Sequence, residues 1–208
     1  MNSDSNILKP EEYLGESYLN KERWASYSIQ ADLVHNFFPL GEILEIGIGN
    51  GIITEILRKK YNLTTVDINP CLNPDVVSSV DDLSGLPEYK FDASLCFEVL
   101  EHLSFKDFSK CLSELHRVTR HYIFLSLPYW GYTFGLKLKL PFLSVKQLKF
   151  KISGLKKHKF NGQHYWEIGK KGYSLKMIKK EINNSSLKII KSFWDIDDPY
   201  HYYFVLKK

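Results

Sequence analysis

Apolar residues recur along this chain in two rhythms that alternate. Over 20–38 they fall at near-helical spacing, with Trp24, Tyr27, Ile29, Leu33 and Val34 on the repeat. Asn20 suits the N-cap, Glu22 the first turn, and Pro39 and Gly41 close the segment. Short apolar runs then alternate with amphipathic stretches. Strands are predicted over 43–46, 63–66 (ending at Asp67), 76–80, 91–97 and 122–127, with helices over 50–60 and 105–119. A further helix is predicted over 174–183, with strands over 188–193 and 202–206. Strands alternating with helices imply a parallel sheet covered on both faces, a three-layer α/β fold. Residues 131–160 break the alternation. Gly131, Gly135, Pro141 and Gly154 punctuate them, Lys interleaves with Phe and Leu, and we read an insertion after the fifth strand, partly helical.

Composition adds limits. The chain has 208 residues, 44% hydrophobic and 25% charged, an ordinary globular balance for which one domain is the default. The polar opening decapeptide does not read as a secretory signal, and no apolar stretch approaches the ~20 residues of a membrane span. Cys71, Cys96 and Cys111 lack the spacing of metal or redox sets, so three reduced thiols and a cytoplasmic location are expected. No metal-binding set is read from the sequence.

Charge is divided unevenly. Residues 1–130 carry 11 basic and 19 acidic side chains, net −8, whereas 131–191 carry 15 and 2, net +13. The expected organisation within 1–208 is a helical lid or cap (1–40), a cofactor-binding core (41–130), a basic insertion on the acceptor side (131–172) and a last helix with strands (173–208).

The richest segment is Glu45-Ile-Gly47-Ile-Gly49-Asn-Gly51, which follows a strand and opens a helix. Glycines there let a ligand approach the backbone closely. A dinucleotide turn requires G-x-G-x-x-G. Here the third glycine comes one residue early, and Ile52 takes the dinucleotide position. Glu45 would repel a pyrophosphate but attract a cationic or amine-bearing ligand. No Lys-Ser or Lys-Thr follows, so this is not a phosphate-cradling P-loop.

With these residues the chain resembles the class I S-adenosylmethionine-dependent methyltransferases. Glu45-x-Gly47-x-Gly49-x-Gly51 is similar to their first motif and Val66-Asp67-Ile68-Asn69 to their second. Phe91 to His102 is similar to the fourth-strand motif of the small-molecule branch. The resemblance covers about 43–127, more weakly the last two strands, and extends to Gly162–Tyr173. It implies a Rossmann-like sandwich with a seven-stranded, mostly parallel sheet whose last strand is antiparallel. It also implies S-adenosylmethionine as cofactor, with Asp67 on the ribose hydroxyls, Ile68 beside it, and Phe97 and Glu98 at the methionine end and adenine edge. Many relatives carry an acid directly after the third strand; Ser79 stands there, and Asp81 is assigned to the adenine amine instead.

In this reading methyl transfer needs alignment more than acid–base help, and a general base only for a poor nucleophile. His102, at the edge of the sheet, and His164, between a glycine and two aromatics, are the candidate bases, with Trp166 and Glu167 beside His164 in a substrate pocket. Tyr13, Tyr18 and Trp24 form a candidate lid, and residues 126–129 border the acceptor site. They are not the Asp-Pro-Pro-Tyr signature of amino-methylating DNA enzymes, which belongs after the fourth strand. The basic insertion is open to several readings: a lid for an anionic small-molecule or glycan-type acceptor, a membrane-surface contact, an RNA contact, or a solvated face. A non-catalytic S-adenosylmethionine-binding protein and a nicotinamide-dependent oxidoreductase are the rival classes.

Overall fold

The computed structural model describes residues 10–15, 18–139, 142 and 146–208. The first long element is helix α1 (Lys21–Phe37), capped by Asn20, whose side chain accepts from the Arg23 amide. A βαβ unit follows, from β1 (Glu42–Ile46) through α2 (Ile52–Leu57) to β2 (Asn62–Asp67). Next come β3 (Val76–Val77), β4 (Phe91–Phe97), α3 (Phe108–Val118) and β5 (Thr119–Pro128). The chain ends in α4 (Leu175–Asn184) and two further strands, and a hairpin stands between.

That hairpin corrects the partly helical reading of 131–160. Strand β6 (Tyr132–Leu138) pairs antiparallel with β7 (Lys146–Ile152), Phe134 opposite Phe150 with rings stacked at 4.8 Å. The reason is visible in the pattern: Tyr132, Phe134, Leu136 and Leu138, then Leu148, Phe150 and Ile152, alternate strictly with other residues, which is the period of a strand.

The main sheet has seven strands in the order β3, β2, β1, β4, β5, β9 (His201–Lys207) and β8 (Lys188–Phe193). Pairings from β3 to β5 are parallel, and β9 runs against both its neighbours, as the resemblance implied. The strand read over 76–80 is cut to two residues because Ser78 and Ser79 turn the chain, the Ser78 hydroxyl donating to the Asp82 carbonyl.

Alternate strand positions face opposite layers. Ile43, Ala93, Leu95, Phe124 and Tyr203 pack with Tyr27, Leu33, Val34, Ile53 and Leu57 of α1 and α2. Leu44, Ile46, Cys96, Leu125 and Phe204 pack with the other layer, where α3 turns Phe108, Cys111, Leu112, Leu115 and Val118 inward at helical spacing. No helix among the described residues is long and apolar enough to cross a membrane.

Candidate functional site

A cavity of about 790 Å³ opens at the carboxyl ends of β1, β2 and β4, where open parallel sheets bind ligands, and its size suits a small molecule. The turn after β1 forms its floor. Gly47, at φ 78°, has no room for a side chain, since a Cβ there would meet Val99 Cγ2 at 2.4 Å. Gly49 lines the cavity under the Tyr13 ring, and Gly51, outside the lining, takes the left-handed N-cap position of α2.

Glu45 reaches the cavity wall although it is 4% exposed, and burial pushes its carboxyl up to about 7. The Thr54 hydroxyl and Arg58 oppose that rise from nearby, yet its Oε2 is buried without a formed hydrogen bond. An unpartnered buried carboxylate oxygen beside a glycine turn fits an ammonium or sulfonium ligand, which would supply the missing partner. Asp67, at the tip of β2, accepts from the Ile48 amide at 3.0 Å and the Asn69 amide at 2.8 Å. These bonds fix its orientation and leave lone pairs on each oxygen for a ligand. Burial raises its pKa, and the amides oppose that. Ile68 lines the cavity beside it and is exposed.

Asp81 lies outside the lining, where the wall is Ser78, Ser79 and Val80. Its carboxylate accepts from the Ser79 hydroxyl and from Lys110 at 3.3 Å. It therefore orients Ser79 from behind.

Phe97 and Glu98 line the cavity at the end of β4. Glu98, at φ 57°, is tied to Arg23 of α1, to Ser26 and Gln30 at 3.3 Å each, and to His201 Nε2 at 3.1 Å. Burial would raise its carboxyl, but His201 and Arg23 hold it far below the usual carboxylate range. Tyr13 and Tyr18, edge to face at 5.3 Å, close the N-terminal side with Arg23, Tyr27 and Gln30. Trp24 lies outside the lining, 52% exposed and against Tyr27.

The opposite wall is built by a seam between two distant segments. The Tyr165 amide donates to the Glu101 carbonyl at 2.8 Å, His102 Nδ1 lies 3.2 Å from the Gln163 carbonyl, and Trp166 Nε1 donates to the Leu103 carbonyl at 3.2 Å. The seam brings His102 and His164 together with ring centroids 5.1 Å apart, beside Glu101, and all three line the cavity. Burial pushes the Glu101 carboxyl up to about 7, against the pull of His164. Burial would lower His164, but Glu167, on its Nδ1 at 3.2 Å, and Glu101 outweigh it and raise its pKa.

Trp166 and Glu167 do not line the cavity. Trp166 is fully buried against Phe105, Phe108 and Tyr173, and Glu167 stands behind His164, accepting from the Tyr200 hydroxyl at 3.1 Å. Residues 126–129 and the strands β6 and β7 are also outside the lining; among the described residues of the basic insertion, Gln163, His164 and Tyr165 reach it. Three of the hairpin's lysines are used elsewhere: Lys137 pairs with Asp197, Lys149 donates to the Trp194 carbonyl and Lys151 to the Tyr129 carbonyl.

Sequence reading missed Arg23, Gln30, Glu101, Tyr200 and His201 as cavity residues. They come from a helix face, a buried turn and the end of the sheet; Glu101 falls inside the fourth-strand motif without a role there, and the other four carry no motif.

Residues 44–123 match the family model described as a methyltransferase domain. No curated protein matches the sequence. Among solved structures, the chain is similar to the N-methyltransferase NodS of Bradyrhizobium japonicum WM9, solved with S-adenosylhomocysteine. There the TM-score is 0.65 at 12% identity, over 99% of each chain. It is similar also to the 1,6-didemethyltoxoflavin-N1-methyltransferase of Burkholderia thailandensis, solved with 1,6-didemethyltoxoflavin and S-adenosylhomocysteine. The TM-score is 0.64 at 15% identity, over 99% of this chain and 92% of that one. A third is an S-adenosylmethionine-dependent methyltransferase from Archaeoglobus fulgidus, with a TM-score of 0.56 at 16% identity over 93% of this chain and 100% of that one. At these identities the likeness is one of fold.

Proposed function

We propose that this chain, whose residues 44–123 match a methyltransferase-domain model, is a class I S-adenosylmethionine-dependent methyltransferase, and that its cavity methylates a small-molecule acceptor held against the wall of Glu101, His102 and His164. The observation that carries the reading is the unpartnered Glu45 Oε2, buried beside the glycine turn in the same cavity as the Asp67 carboxylate. One end of the cavity thus offers anionic oxygens to a cationic ligand, and the other offers two imidazoles. The similar structure from Burkholderia, solved with 1,6-didemethyltoxoflavin, supports the small-molecule class.

Bound S-adenosylmethionine supplies a methyl carbon activated by its sulfonium. Glu45 meets the positive charge of that ligand, Asp67 accepts from its ribose hydroxyls, and Ser79 with Ile68 borders its base. Phe97 and Glu98 wall the space between the two ends. Tyr13 and Tyr18 cover the cavity and exclude water. His102 and His164 orient the nucleophile on the far side. Alignment of this kind supplies roughly 7–11 kcal/mol of a displacement barrier. The lysines of the hairpin stand outside the lining, so they give no support for an anionic acceptor at the reacting centre.

Calorimetry with S-adenosylmethionine, S-adenosylhomocysteine and NAD tests the cofactor assignment. Tighter binding of NAD would overturn it. A methyl-transfer screen over hydroxyls, amines and carboxylates then tests the acceptor class, and transfer to macromolecules alone would overturn that.

A further inference from the structure

Glu101, His102 and His164 each turn one ligating atom to a common point at the cavity wall, all within 4.8 Å of one another. The surroundings of these atoms define what they can do. His102 Nδ1 faces the Gln163 carbonyl at 3.2 Å, and His164 Nδ1 faces the Glu167 carboxylate at 3.2 Å. Each ring therefore carries its proton on Nδ1 and, when neutral, has Nε2 as the nitrogen that can meet an ion, with the Glu98 backbone also within reach of the His102 ring. This is the arrangement in which histidine ligates a metal, one nitrogen on the ion and the other fixed by a carbonyl or carboxylate. Glu101 is 1% exposed, and its Oε2 is buried with no hydrogen-bond partner. Such an oxygen is costly unless a cation or donor meets it. His102 is exposed at the rim, which gives an ion a path in.

We propose that Glu101, His102 and His164 bind a divalent first-row transition-metal ion that coordinates an oxygen of the methyl acceptor, an inference that rests on the methyltransferase reading above. Two imidazoles and one carboxylate suit zinc, iron, cobalt or manganese better than magnesium or calcium, which favour all-oxygen shells. Closing on an ion at about 2.1 Å draws these side chains inward by about 1 Å. Three protein ligands leave positions open for the acceptor, whose class is then a hydroxyl compound, best with a second oxygen adjacent. The ion lowers the pKa of the coordinated hydroxyl and its proton passes to water at the cavity mouth. The oxygen bonds to the methyl carbon as the carbon–sulfur bond breaks, its electron pair staying on sulfur. The products are a methyl ether, S-adenosylhomocysteine and one proton. No local spacing marks this set, because Glu101 and His102 meet His164 across the seam with Gln163 and Tyr165.

The test is Co²⁺ titration of the chelator-stripped full chain, followed by visible absorption and calorimetry. One ion per chain with a ligand-field band is expected. In Glu101→Gln and in His164→Asn the affinity should fall at least tenfold, and that for S-adenosylhomocysteine should stay within twofold. The absence of a stoichiometric Co²⁺ band, or equal Co²⁺ affinity in both variants, would overturn the metal site. If Glu101→Gln does not fold, His102→Gln, at the exposed rim, replaces it under the same criterion. Failure of the unsubstituted protein to bind S-adenosylhomocysteine would overturn the cofactor reading and leave the metal result standing by itself.

Discussion

Glu98 and His201 meet at 3.1 Å in the cavity wall, and the other nitrogen of the same imidazole lies 2.9 Å from Asp198. With a carboxylate on each nitrogen the ring donates twice and is an imidazolium. Burial would lower its pKa, but Glu98 and Asp198 outweigh that and raise it to about 10. Its contribution to stability is therefore complete below the unfolded value of ~6.5 and is lost as pH climbs through the folded value. Glu98, depressed, gives the opposite limb: its contribution is present above ~4.3 and fades as pH falls below that. His201→Gln is expected to cost about 3 kcal/mol, because it strands buried carboxylates. Urea unfolding across pH checks both statements. A variant as stable as the parent would show that the network contributes nothing.

Glu45 has the reverse sign. Its folded pKa, near 7, lies above the unfolded value, so the folded state holds its proton more tightly, and stability falls as pH rises from ~4.3 to 7. A cationic ligand requires the ionised form. Affinity for S-adenosylmethionine should rise with pH through about 7. Glu45→Gln should flatten that profile, weaken binding by ~1–3 kcal/mol and raise the melting temperature at pH 8. Calorimetry at three pH values is sufficient, and an unchanged slope in the variant counts against Glu45 as the titrating group.

Asp67→Ala is expected to weaken the same ligand by ~1–3 kcal/mol, the cost of losing bonds to a charged acceptor. The amides of Ile48 and Asn69 lose their partner too, so Asp67→Asn serves as the milder control. An equal dissociation constant in both variants removes Asp67 from the site.

The glycines should separate by mechanism. Gly47→Ala drives a Cβ to 2.4 Å from Val99 and adds strain at φ 78°, together ~2–4 kcal/mol. Gly51→Ala meets nothing within 4 Å and suffers only its φ of 74°, roughly 1 kcal/mol. Trimming Val99 to Ala should rescue Gly47→Ala in part and Gly51→Ala not at all. Thermal unfolding of the four variants distinguishes the cases.

The fold was legible wherever one periodicity held for several residues. The strands at Ile43 and Phe91 and the helix capped by Asn20 appear where the pattern puts them. The hairpin departs from the partly helical expectation because the strict alternation of Tyr132, Phe134, Leu136 and Leu138 is interrupted in composition by lysines and a glycine that suit a loop as well as a strand. In the site, the residues carrying a local motif, such as Glu45, Gly47 and Asp67, were readable because a strand–turn–helix places them without help from elsewhere. Trp166 is core and not a pocket residue, a difference hidden in the sequence because an aromatic beside a histidine looks the same whichever way it points. His201 carries no mark in the sequence because its partner Glu98 becomes a neighbour only when β9 enters the sheet.

That entry has a kinetic consequence. Strand β9 follows β8 in sequence yet lies between β5 and β8, so β8 has no bonded neighbour until β9 is in place. During synthesis, the glycine turn and Asp67 leave the ribosome well before Tyr200 and His201 do. The nascent chain therefore holds half of a pocket beside an open sheet edge, and a chaperone or an aggregating neighbour competes for that edge until the last hairpin closes it.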